Sequence, residues 1–173
     1  TDMSGEYVLK ANSDKGLLSD DITVYFGNKQ KRMAAIEKMI AASSENDIAD
    51  LFKSDSEYLN GLYSLGFYAD KYSGEYKNVI DGYFLDKKGS LDSSDEAAFS
   101  ENVELANLLY TINSENDKAA LQRILVENDS VTKLDFVKFL SEAEDGLADW
   151  VLGKIADGSF VTYDELKEGY DLY

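Results

Sequence analysis

The feature that most constrains this chain is a turn followed by a helix start, clearest at Asp157-Gly158-Ser159-Phe160-Val161-Thr162-Tyr163-Asp164-Glu165-Leu166. Asp-Gly is turn chemistry, Phe160 and Val161 read as a short extended step, and Thr162 is a good N-cap. Glu165, three residues on, completes a capping box in which cap and acid satisfy each other's backbone donors. Gly89-Ser90-Leu91-Asp92-Ser93-Ser94-Asp95-Glu96 repeats the pattern, with Ser93 and Glu96 as the box. Asp129-Ser130-Val131-Thr132-Lys133-Leu134-Asp135 repeats it with Asp135 as a weaker closing acid, and residues 14–21, around Gly16, form the loosest copy.

The copies keep register. Residues 60–97 lie over residues 129–166 at an offset of 69, and Ser44-Glu45-Asn46-Asp47 finds a match in Ser114-Glu115-Asn116-Asp117 at 70. This points to an internal duplication of about 70 residues. Its halves span residues 1–83 and 84–173 within one compact domain. The fold class expected is mostly α: internally duplicated helix–turn–short strand–helix units with minimal β pairing. Extended steps at Leu91, Val131 and Phe160 are expected to pair as small bridges.

Between the turns the apolar spacing is helical. Residues 29–42 carry Met33, Ile36, Met39 and Ile40 on one face. Phe99, Val103, Ala106 and Tyr110 form a second stripe; Leu134, Val137 and Leu140 a third; Leu147, Val151 and Ile155, with Trp150 alongside, a fourth. Residues 1–13 read as an irregular or strand-like lead-in, and Ile22-Thr23-Val24-Tyr25-Phe26 as a short strand or the first turns of a helix. The last helix is expected to stop at Gly169. Lys29, Lys31 and Arg32 open the helix at residue 29, where cations oppose the helix dipole, which points to an acidic neighbour elsewhere in the fold.

Composition closes several routes to function. The chain has no His, Cys or Pro. Disulfides, thiolate nucleophiles, Ser-His-Asp triads and conventional zinc sites are therefore excluded. With 34 acids against 17 bases, net −17, it lacks the clustered cations that bind nucleic acid or an anionic membrane. No apolar run approaches the roughly 20 residues of a membrane span. The Tyr-, Ser-, Asn-, Asp- and Lys-rich texture leans towards an exported bacterial protein.

Helix, acidic turn, extended step, helix is also the outline of an EF-hand, whose calcium loop needs oxygen ligands at positions 1, 3 and 5, Gly at 6 and an acid at 12. Setting Phe160 at position 8 suits Gly158 and Asp164 but places Gly153 and Ile155 at 1 and 3. Val131 at position 8 places Ile124 and Val126 there, and Leu91 places Phe84 at 1 and Lys88 at 5. The outline is EF-hand-like but degenerate, and no metal or cofactor is expected.

Six tyrosines fall in residues 58–83, and Tyr68, Tyr72 and Tyr76 stand at i, i+4, i+8 on one supposed helical stripe. With Tyr163 and Asp164 they are the partner-binding candidates, because tyrosine gives amphipathic contact area at low entropic cost. The stripe is expected to split, with one ring buried and the others at its edge. The function expected is a non-catalytic acidic module binding another protein, a basic one in particular. The alternatives are a nucleic-acid-mimicking inhibitor and a degenerate EF-hand-like cation-binding protein. Millimolar calcium should move the melting temperature little. A rise of many degrees, abolished by Asp164→Ala or Asp95→Ala, would reveal a metal loop instead.

Overall fold

The computed structural model describes residues 5–10, 21–26, 29–53, 58–63 and 65–171, and the chain is mostly helical. Strands β1 (Gly5–Lys10) and β2 (Asp21–Phe26) pair antiparallel, Gly5 opposite Phe26 and Lys10 opposite Asp21. The turn around Gly16 lies outside the described residues. Helices follow: α1 (Lys29–Ala41), α2 (Glu45–Phe52), α3 (Leu59–Tyr63), α4 (Gly74–Lys87) and α5 (Glu96–Ser114). Then come α6 (Lys118–Glu127), α7 (Asp129–Thr132), α8 (Phe136–Glu142), α9 (Leu147–Ala156) and α10 (Tyr163–Asp171).

Four helices share one construction. Ser44, Asp95, Asp117 and Thr162 each accept a bond from a backbone N–H three residues on, starting α2, α5, α6 and α10. The residues four and eight beyond each cap are buried: Ile48 and Phe52, Phe99 and Val103, Leu121 and Leu125, Leu166 and Tyr170. Capping fixes where a helix begins, and therefore which residues face inward. Full capping boxes form at Ser44–Asp47 and at Thr162–Glu165, where Glu165 also takes the Val161 N–H at 2.9 Å.

Several expectations are corrected by competing caps. Asp95, not Ser93, starts α5, which leaves Glu96 to pair with Arg32 at 2.7 Å. That ion pair places one cation of the α1 basic cluster against an acid from α5. Ser114 ends α5 and Asp117 caps α6, so the match with Ser44 shifts by three residues. Thr132 belongs to α7 and bonds the Asn128 carbonyl, while the Asp129 carboxylate caps α8 through Phe136 and Val137. This sets Phe136 inward and leaves Val137 exposed. Leu134 is buried between Lys133 and Asp135, both left-handed at φ 56° and 57°. Such backbone costs on the order of 1 kcal/mol per residue. Tyr170 donates to the Leu134 carbonyl and Lys167 pairs with Asp135 at 2.7 Å, so α10 holds the kink.

The short bridges are absent among the described residues. Val131 lies inside α7, Leu91 is extended, and neither Leu91 nor Phe160 has a strand partner. At Phe160 the side chain of buried Asn113 stands in for a strand: it accepts from Phe160 N–H at 3.2 Å and donates to its carbonyl at 2.8 Å. Helix α10 also runs through Gly169 instead of stopping there.

One buried cluster draws on α1 to α6 and α8 to α10. Helix α4 packs on α2 and α5, α9 packs on α5, α6 and α10, and α3 packs on α1. The boundary at residue 83/84 falls within α4. A Cβ at Gly82 would meet the Val161 side chain at 2.7 and 2.9 Å, so the loop before α10 lies directly on α4. Gly82→Ala should destabilise by about 1–3 kcal/mol, the usual cost of overpacking. Denaturant titration of a double mutant with Val161→Ala should recover part of that loss. Full additivity would show that the two positions do not meet.

Candidate interaction surface around Tyr68

The turn from α3 to α4 alternates between core and solvent. Leu65 and Phe67 are buried, whereas Tyr68 is 49% exposed. Gly66, at φ 89°, reverses the chain in a conformation that only glycine adopts cheaply. Helix α5 anchors this turn: Ser100 donates to the Leu65 carbonyl at 3.3 Å, and Asn107 to the Gly66 carbonyl at 3.4 Å. Asn107 also accepts from the Tyr76 hydroxyl at 2.7 Å.

Ser100, Glu104, Asn107 and Thr111 follow one another at helical spacing along the α5 flank that borders the turn. Glu104, Thr111 and Asp70 are exposed, and Tyr110 is half-buried with its ring 5.1 Å from that of Tyr76. The Lys71 ammonium stands over the Tyr68 ring, 4.8 Å from its centroid. The surface is thus an aromatic face with amide and hydroxyl groups, two carboxylates and one cation.

Beneath it lies a polar cluster. Asp81, 1% exposed on α4, accepts from the Tyr72 hydroxyl and from Lys77. Burial pushes the Asp81 carboxyl above the usual range, opposed by the bonds from Lys77 and Tyr72. Burial likewise holds the Tyr72 phenol protonated, reinforced by its bond to Asp81. The Tyr72 ring packs against Phe52 and Phe67 at 5.5 and 5.4 Å, so this bond joins the turn to α2 and α4.

The tyrosines predicted as one stripe do not share a helix. Tyr68 precedes the 3-10 turn Ala69–Lys71, Tyr72 ends it, and Tyr76 lies in α4 beyond an extended Ser73. They divide by depth instead: Tyr68 exposed, Tyr72 intermediate, Tyr76 buried. Burial pushes the Tyr76 phenol up to about 12. Tyr163 belongs to the core: it is buried, donates to the Leu105 carbonyl at 2.8 Å and meets Tyr83 edge-on at 6.3 Å. Asp164 is exposed in the first turn of α10, where its charge favours the helix start. Neither is brought to the Tyr68 group by any bond or ring contact described.

Asn107, Lys71 and Asp70 were not singled out in the sequence, and Tyr110 was read only as part of an apolar helical face. The available signal was the spacing of Ser100, Glu104 and Asn107, polar residues on one flank of α5. Among the described residues no group of acids is arranged to hold a metal ion, and no helix is long and apolar enough to cross a membrane. No family model, curated protein or solved structure matches the chain.

The Asp81 cluster has a pH signature. Because its carboxyl is raised in the folded protein, Asp81 favours folding below its native pKa, and that contribution is lost as pH rises through it. Asp81→Asn keeps an acceptor for Tyr72 and should flatten the fall in stability as pH rises above the ordinary aspartate value of about 4. Asp81→Ala removes the acceptor of the Tyr72 hydroxyl as well as the partner of Lys77 and should cost about 1–3 kcal/mol. Denaturant melts across that range check both. Equal losses for Asn and Ala would show that the bonds are not what Asp81 contributes.

Proposed function

We propose that the chain is a non-catalytic, internally duplicated helical module that binds a basic protein partner through the surface around Tyr68. The observation that carries this reading is a large ring kept 49% exposed on a turn bonded to α5 at two points. Its neighbours Phe67 and Tyr76 are spent on the core, so their rings earn their place by packing. Tyr68 does not, and an exposed tyrosine on a fixed support is the kind of residue that anchors protein interfaces. Exposed Asp70, two residues on, and exposed Glu104 on the α5 flank that bonds the turn, on a chain of net charge −17, favour a cationic partner over an anionic one.

The duplication is supported by the repeated order of parts. A long helix, a capped helix, a short helix and a buried pair follow in both halves: α1, α2, α3, Leu65 and Phe67, then α5, α6, α7, Leu134 and Phe136. A 3-10 turn in the first set, Ala69–Lys71, stands where the second has α8, and a further helix and a capped one then complete each set, α4 with α5 and α9 with α10. On this reading α5 closes the first unit and opens the second. The register is kept by caps and buried pairs, not by a single ungapped offset.

The test is to capture partners from the native source with wild-type protein, Tyr68→Ser and Tyr76→Ser, and to melt the same proteins. Tyr68→Ser should melt within about 0.5 kcal/mol of wild type, as surface changes do, and lose capture. Tyr76→Ser should destabilise first, by an amount approaching the 3–5 kcal/mol of large aromatic truncations. Capture that is unchanged by Tyr68→Ser in a folded protein would overturn the reading.

A further inference from the structure

We propose that Lys71 is an internal placeholder on the Tyr68 ring, and that the partner docks there by replacing its ammonium with an arginine side chain. This rests on Tyr68 being the interaction surface and adds the chemistry of what it receives. Cations are attracted to the face of an aromatic ring within about 6 Å of its centroid, and Lys71 sits inside that limit at 4.8 Å. The ring face is therefore shown to accept a cation in this setting.

Lys71 is a weak occupant by construction. It reaches the ring from only three residues away, at the end of a 3-10 turn, and both residues are exposed. An ammonium is a compact, strongly hydrated charge, whereas a guanidinium is planar, less hydrated, and stacks on aromatic faces while pairing with carboxylates. Exposed Asp70 stands between Tyr68 and Lys71 in the chain, and exposed Glu104 lies on α5 between Ser100 and Asn107, the two residues that bond the turn just before Tyr68. An arriving arginine can keep the ring contact and take up a carboxylate, while Lys71 swings into water. The swap leaves the core untouched, since Phe67 and Tyr76 hold the turn from below.

The experiment uses the full chain and a fluorescein-labelled Arg-Gly-Arg-Gly-Arg peptide, with Lys-Gly-Lys-Gly-Lys and Glu-Gly-Glu-Gly-Glu as comparisons. Lys71→Gln should tighten arginine-peptide binding by about two- to five-fold, the range of an exposed cation–π contact. Tyr68→Ala should weaken it by a similar factor, and Lys71→Gln should then give no further gain. The lysine peptide should bind less tightly than the arginine peptide, and the glutamate peptide not at all.

A gain from Lys71→Gln that persists in full with Tyr68→Ala would show a simple loss of positive charge, and would overturn the placeholder. Indifference of the arginine peptide to Tyr68→Ala, or no binding of that peptide, would overturn it as well. Capture of the native partner lost on Tyr68→Ser would still uphold the surface in either case. Capture indifferent to Tyr68 would instead remove the surface itself.

Discussion

The contact between α4 and α5 is the one on which the rest of this protein depends. Phe84 and Phe99 stack across it at 5.3 Å, and the hydroxyls of Tyr83 and Tyr76 reach Asn102 and Asn107 of α5 at 3.0 and 2.7 Å. Gly82 lets Val161 lie against the back of α4, which ties the approach to α10 to the same helix. Helix α5 then holds α9 and α6, and its Glu96 reaches back to Arg32 of α1. A chain without disulfides is held together at this helix pair by apolar stacking, with the Tyr76 and Tyr83 hydroxyls both bonded.

The same arrangement gives several of the acids a structural role. Asp47, Asp95, Asp117, Asp129 and Glu165 accept backbone N–H groups at helix starts. Each satisfies donors that a helix cannot pair internally. Asp135 and Asp149 pair with lysines from α10 and α6. What remains around Tyr68 is small, a few carboxylates beside one ring, and its meaning comes from the rigidity of the support and not from the number of charges.

Much of the helical framework was legible in the sequence. The inward residues of α5 followed from spacing, as did Val151 and Ile155 of α9, because long amphipathic helices leave little choice of face. The boxes at Ser44 and Thr162 were legible for the same local reason. Where two caps competed for one start, as at Ser93 against Asp95, sequence alone did not choose. Val131 was read as extended from its place in the repeated turn pattern, but Asn128 and Asp129 draw it into α7. The tyrosine spacing was real and its helix was not: the turn at Gly66 and the extended Ser73 place three rings at three depths. Asn107 and Asn113, the amides that position two turns on α5, belong to tertiary contacts between residues more than 40 apart.

The central claim is that both halves form one cooperative body built on α4 and α5, with the Tyr68 turn as its outer edge. Native-state hydrogen exchange through increasing denaturant tests it most directly, because it resolves which segments open together. The account predicts that amides within α4, α5, α6 and α9 exchange through a single global opening, while those at Tyr68–Lys71 exchange through a local one. Exchange of α6 to α10 as a separate unit, at lower denaturant than α1 to α4, would contradict it.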